Sequence, residues 1–282
     1  MLHDLRFSLA ALLAASMCMS GCTGDDGGGE GETETEEGGD ETTSDGEVFI
    51  PPGARLVEAG MVWRGCLEGD GECDSNESPG GMIEVDAFFL DRFEAIVDDY
   101  ERCVNAGDCV EPEDTGDCNY HLSGRGKHPV NCLSWDMADA FCSWKGMRLP
   151  TEAEWERAAR GDALTLYPWG DEAPSCELAN VETCNPSTTE GGMQAAGDSP
   201  FGISDMVGNV SEWVADYYDA DYYTASAGED NPQGPESGSE RVIKGSAFTV
   251  PPDFPAQRIS KRNFATPGTA LRIYGVRCAR DR

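Results

Sequence analysis

The sequence predicts a mixed α+β protein, poor in regular structure and braced by disulfides. Apolar runs are short and interrupted throughout by glycine, proline and asparagine, with 34 Gly and 16 Pro in 282 residues. The chain also holds 12 cysteines, and its first residues read as an export signal. Export places cysteines in an oxidising compartment, where they pair.

The export signal comes first in the chain. Arg6 precedes an apolar run from Phe7 to Met17, and small residues follow in Met19-Ser20-Gly21-Cys22. A basic start, a short apolar centre and small residues before the cut make a secretory signal. The run is too short to span a bilayer. A small residue followed by cysteine resembles a bacterial lipobox, so residues 1–22 are expected to be a lipoprotein signal with Cys22 as the lipidated N-terminus. Residues 23–47 hold eleven acids and no base, padded with Gly, Thr and Ser. Such a segment cannot offset its ordering entropy and is expected to be a disordered, self-repelling tether. The expected location is periplasmic or cell-surface, membrane-anchored through the lipid.

Residues 48–282 remain, enough for one large domain or two small ones. The whole chain carries −33, and this part keeps 19 bases against 41 acids. That surface repels nucleic acid and anionic lipid headgroups, and favours cations.

With Cys18 in the signal and Cys22 lipidated, ten cysteines are left. Three close pairs suggest local bridges: Cys66 with Cys73, Cys103 with Cys109, and Cys176 with Cys184. For the other four, Cys118 with Cys132 and Cys142 with Cys278 is the favoured arrangement; the last would tie the final strand to a central helix. Zinc is disfavoured, because no Cys-x-x-Cys spacing occurs and only His121 and His128 lie beyond the signal.

Strands are expected at 57–63 and 82–90, the second alternating Ile83 and Val85 before Phe88 and Phe89. A helix is expected over 97–105, with Tyr100, Cys103 and Val104 on one face and Gly107 beyond its end. A second starts after Ser134 as N-cap and runs to Lys145, stopped by Gly146. Its inner face would be Trp135, Ala138, Phe141 and Cys142. Thr151-Glu152-Ala153-Glu154 is a capping box that opens a third helix, ended by Gly161, with Trp155, Ala158 and Ala159 inward. Loops and short strands follow, the clearest strands at 241–244 and 274–278.

Two long motifs then stand out: His128-Pro-Val-Asn-Cys-Leu-Ser-Trp135 and Met147-Arg-Leu-Pro-Thr-Glu-Ala-Glu-Trp-Glu-Arg-Ala-Ala-Arg-Gly161. Four more follow in order: Tyr167-Pro-Trp-Gly170, Asp205-Met-Val-Gly-Asn-Val-Ser-Glu-Trp213, Arg241-Val-Ile-Lys-Gly245 and Gly275-Val-Arg-Cys-Ala-Arg280. Together with residues 57–65 and 85–94, they resemble the formylglycine-generating enzyme, or sulfatase-modifying factor, family across nearly the whole domain. The resemblance implies one α+β domain related to C-type lectins.

The tryptophans at 135, 144, 155, 169 and 213 read as core, since a loop-rich domain needs large aromatics to bury area. Arg148 and Glu154 are a candidate ion pair. Asp205 and Glu212 flank a glycine turn that exposes backbone carbonyls, a mixture of hard oxygens that suits calcium. The resemblance implies a calcium site there, with side chains from Asp205 and Glu212 and carbonyls from Gly208 and Val210. A second family site would begin at Asn180 and Val181, but its distal acid has no clear counterpart.

The resemblance also implies a catalytic pair of cysteines, five residues apart after the Arg-Val-x-x-Gly strand, which bind copper and oxidise a substrate cysteine to formylglycine. Here Val250 and Pro255 stand at about those positions. No cysteine occurs between Cys184 and Cys278, so copper is not expected. His128 reads as a structural histidine. The leading expectation is a binding domain for a peptide or envelope protein, its groove lined by Phe248, Arg258, Arg262 and Phe264. Those arginines could equally pair with the many acids. Two alternatives stand beside it: an enzyme modifying an exported protein or metabolite without the cysteine pair, and a calcium-stiffened structural envelope module.

Overall fold

The computed structural model describes residues 50–282. The lipobox with Cys22 and the acidic segment 23–47 lie outside the described residues. Nine short strands and four helices follow in the order β1 (Ala54–Val57), β2 (Gly60–Arg64), β3 (Gly81–Val85), β4 (Phe88–Asp91), α1 (Val97–Ala106), α2 (Trp135–Trp144), α3 (Glu152–Arg160), β5 (Ser211–Tyr217), α4 (Tyr222–Ala225), β6 (Arg241–Lys244), β7 (Asn263–Ala265), β8 (Tyr274–Gly275) and β9 (Ala279–Asp281). The fold is mixed α+β, as the sequence predicts.

The strands form three sheets, ordered β1-β4-β9, β2-β3 and β7-β6-β5-β8. All pairings are antiparallel except β5 with β8. Two apolar cores lie on opposite faces of the four-stranded sheet, because neighbouring residues on a strand point to opposite faces. Val214 of β5 and Val242 of β6 join the core built on Trp155, Ala158 and Ala159 of α3. Trp213 and Ile243, one residue earlier and later, join the core built on Tyr100 of α1 and Phe141 of α2.

The helix ends follow the sequence. The Ser134 side chain accepts from Met137 N, and Thr151 and Glu154 form a reciprocal capping box. Gly107 closes α1 with φ 87°, a left-handed conformation that glycine adopts without strain. Arg148 grips Glu154 with both Nη atoms, each at 2.7 Å. All five expected disulfides are present.

Three strand expectations need correction. The run 57–63 is two strands: β1 pairs with β4 and β2 pairs with β3, in different sheets. The run 82–90 divides the same way into β3 and β4 at Asp86-Ala87. The run 274–278 is strand only at its start: β8 lies beside β5, and β9 begins after the run, at Ala279, beside β4. The expected tryptophan core divides too. Trp155 and Trp213 are fully buried, whereas Trp135, Trp144 and Trp169 are half-buried at its edges. Helix α3 is buried on its charged side as well, through Glu152, Glu156 and Arg160.

Candidate functional site

The loop from Asp205 to Glu212 links segment 188–205 to strand β5. Asp205, Gly208 and Asn209 have φ of 59°, 83° and 55°. A side chain at Gly208 would bring its Cβ to 2.5 Å from the Asn180 carbonyl oxygen, so glycine is required both for φ and for space. The short polar side chains of Asp205 and Asn209 tolerate the left-handed region better than most.

Hydrogen bonds hold the loop. Asn209 Oδ1 accepts from Thr189 N at 2.9 Å and from Asn180 Nδ2 at 3.2 Å, and Asn209 Nδ2 donates to Glu94. Val210 N donates to the other Glu94 oxygen at 3.0 Å. Gly192 N donates to Asp205 at 2.6 Å. Glu212 receives Arg277 on both oxygens, at 2.6 and 2.7 Å, and Trp155 Nε1 at 2.7 Å.

Of the four expected calcium ligands, all are buried and carried by this one loop. Glu212 is bound to a guanidinium, which the sequence did not indicate. The structure adds Glu94, just before α1, as a third buried carboxylate. Its signal in the sequence was a lone acid inside the apolar stretch Phe93 to Val97. Burial drives the Glu94 carboxyl well above its usual range, with the charges of Asp205 and Glu212 adding to it. Burial likewise raises Asp205 to about 6.

Glu94, Asp205 and Glu212, with Asp198 beside them, face two guanidiniums, Arg277 and Arg92. Thr189 Oγ1, Gln194 Oε1, Asp198 Oδ1 and Ser204 Oγ, from the segment lying over the loop, are buried with no hydrogen-bond partner, as is Arg92 Nε beside Asp198. Asp205 and the loop carbonyls are hard oxygens of the kind that calcium takes, whereas both Glu212 oxygens are already held by Arg277. Asn180, from the second expected site, is committed to Ser187 O and Asn209.

The segment after β6 is closed on itself. Ser246 Oγ bonds Gln257 and accepts from Gly208 N at 3.0 Å. Gln257 Nε2 donates to the carbonyls of Val250 and Pro251 at 3.0 and 3.1 Å. Val250 and Pro255 lie in this loop without a thiol. All ten described cysteines are in disulfides.

The expected groove of Phe248, Arg258, Arg262 and Phe264 is not assembled. Arg258 is buried and bonds Asp70 and Glu77 at 2.7 and 3.0 Å. Arg262 is buried against both oxygens of Glu152, at 2.9 and 3.0 Å. Phe248 is buried, and the exposed Phe264 stacks on Tyr218 with ring centroids 3.9 Å apart. With acids outnumbering bases about two to one, these arginines are drawn into pairs rather than left to line a cleft. His128 rests between Arg125 and Thr188 at 2.9 and 3.1 Å, a satisfied structural position as expected.

A family model described as a sulfatase-modifying factor enzyme 1-like domain matches residues 33–282. The serine/threonine-protein kinase pkn1 of Chlamydia pneumoniae is 34% identical over 245 residues, 80% of this chain and 37% of that protein. The chain therefore spans less than two fifths of that relative. The formylglycine-generating enzyme of Mus musculus is 31% identical over 260 residues, 73% of this chain and 69% of the enzyme. PvdO from Pseudomonas aeruginosa superposes with a TM-score of 0.70 at 23% identity, covering 81% of this chain and 94% of that one, a likeness of fold.

Proposed function

The chain belongs to the sulfatase-modifying factor enzyme 1-like domain family, and from that premise we propose that it is a lipid-anchored extracytoplasmic member that binds a peptide or envelope partner and does not generate formylglycine. One observation carries the second half. The family chemistry needs two thiolates, which suit soft Cu(I). The corresponding positions hold Val250 and Pro255, and every described cysteine is locked in a disulfide. A disulfide sulfur is neither a nucleophile nor a thiolate ligand.

The charge balance around Asp205 supports calcium as the resident ion. Asp205, with the carbonyls of Gly208 and Val210 and an oxygen of Glu212, would hold it. The ion would supply positive charge to buried carboxylates and fix the loop that joins the two cores. Glu94 holds that loop through Asn209 and Val210. The four unpartnered buried oxygens favour a second reading, in which stiffening by calcium is the whole role.

The test is mass spectrometry of a peptide with a sulfatase-type Cys-x-Pro-x-Arg motif after incubation with the purified chain, copper and oxygen. The expected result is no conversion while an active family member converts the same peptide in parallel. Formation of the aldehyde would overturn the reading.

A further inference from the structure

Two methionines interrupt the polar surface of the domain. Met61 of β2 and Met82 of β3 are nearly half exposed. Each precedes a buried residue, Val62 or Ile83, and so points to the outer face of the hairpin. Met61 lies opposite Glu84 and Trp63 opposite Met82, which makes the two methionines diagonal neighbours on one face. With Pro200 and Phe201 they line a half-open groove of about 630 Å³, whose lining also includes Glu58 and Asp162. That volume lies within the roughly 300–1,000 Å³ of ligand sites and has room for a short stretch of peptide.

Two glycines set the floor. A side chain at Gly60 would bring its Cβ to 2.7 Å from Arg157 Nη2, and one at Gly161, where φ is 63°, to 3.0 Å from Pro200. Arg157 crosses beneath the groove. It donates to the Glu58 carbonyl at 3.2 and 3.3 Å and to the Met61 carbonyl at 3.2 Å, and lies 5.2 Å from the Phe201 ring. Asp162 meets its charge at 2.5 Å, but only the carboxylate faces water: the Asp162 side chain is 87% exposed and that of Arg157 3%. Glu58 is exposed and holds Arg282 at 3.4 Å, a surface pair worth about 0–1 kcal/mol that a competing cation can displace. Glu84 is exposed opposite Met61 and has no ion pair among the described residues. A partner entering the groove thus meets thioether, prolyl and aromatic surface edged by three carboxylates.

We propose that this groove binds an extended segment of a partner protein in which a lysine or arginine lies beside long apolar side chains. Glu58, Asp162 and Glu84 receive the cation. Met61 and Met82, whose unbranched thioethers fit irregular apolar shapes, cover the apolar neighbours with Phe201. Charge complementarity selects this occupant. The same carboxylates repel an anionic lipid surface, and a second copy of a domain with 19 bases against 41 acids brings charge of the wrong sign. The inference gives a site to the peptide-binding reading and rests on that reading for its biological partner.

The test uses the full chain and a fluorescent peptide amide, Gly-Ser-Leu-Lys-Leu-Ser-Gly, beside the same peptide with Glu in place of Lys, read by fluorescence polarisation. We expect the lysine form to bind at least tenfold tighter at low salt, and the gap to narrow as sodium chloride is added. Glu84→Lys, at an exposed position with no ion pair to break, should remove most of that preference. Met82→Ser, also exposed, should weaken the lysine peptide severalfold while its circular dichroism stays that of the parent. Equal binding of the two peptides, no binding of either, or an unchanged preference in Glu84→Lys would overturn the proposal. So would a parent dimer that Met82→Ser dissolves, since a second copy would then occupy the groove. A natural partner held equally by the parent and both variants would sink the groove and leave the binding reading intact. Aldehyde formation in the preceding assay would do the reverse.

Discussion

Asp216, on β5, carries the plainest residue-scale consequence. It is buried beside Glu152, whose backbone N–H donates to it at 2.7 Å. Burial first, then the Glu152 charge, raises its carboxyl from 3.8 to about 8, with Arg262 pulling the other way. The folded protein therefore holds a proton that the unfolded chain releases across that interval. Stability contributed by this group falls as pH rises from about 4 to about 8 and is level above. Asp216→Asn keeps the acceptor and removes the charge. Its Tm should match the parent near pH 4 and exceed it at pH 8.5 by about 2–4 °C per kcal/mol recovered; an equal Tm at both pH values would refute the assignment. Single residues also show what the sequence concealed. Arg258 and Arg262 stood out as a basic cluster, but their carboxylates come from positions 77, 70 and 152, over a hundred residues away. Local sequence reports the charge and not its distant partner.

At the scale of elements, what is local was legible and what depends on pairing was not. Ser134, Thr151 with Glu154, Gly146 and Gly161 mark helix ends because each acts within one turn of its own backbone. The strand runs were misread for the opposite reason. An alternating pattern over 57–63 or 82–90 is continuous in sequence, but each half finds a partner in a different sheet, and periodicity carries no partner identity. Strand β5 went unread because it is covered on both faces, and its polar residues Ser211, Glu212 and Asp216 are buried with the apolar ones, so no inside-outside alternation marks it. The disulfides differ by loop length. Replacing Cys142 and Cys278 by serine should lower stability by about 5 kcal/mol, from a closed loop of 136 residues, whereas replacing Cys103 and Cys109 should cost about 2 kcal/mol. Urea unfolding at fixed pH measures both, and a larger loss for the short bridge would contradict the loop argument.

For the whole molecule, the governing quantity is excess negative charge. Self-repulsion opposes the compact state and is screened by salt, so sodium chloride should raise Tm gradually. Calcium at matched ionic strength should raise it further, adding about 2.7 kcal/mol of stability at a hundredfold over Kd. Asp205→Asn should cancel the calcium-specific part. In chelator it should be no less stable than the parent, because burial already disfavours the Asp205 charge. A calcium response that survives Asp205→Asn would place the ion elsewhere.

The position of β4 between β1 and β9 also bears on synthesis. Residues 279–281 are made after every other described element, yet they complete the sheet that the first strand begins. Cys142 must wait for Cys278, and Glu94, Asp205 and Glu212 must wait for the Arg277 guanidinium. The nascent domain is thus committed to remaining open until its last strand has been made. A stop at codon 277 would remove the final strand, the long cross-link and the counter-charge of the acidic loop together.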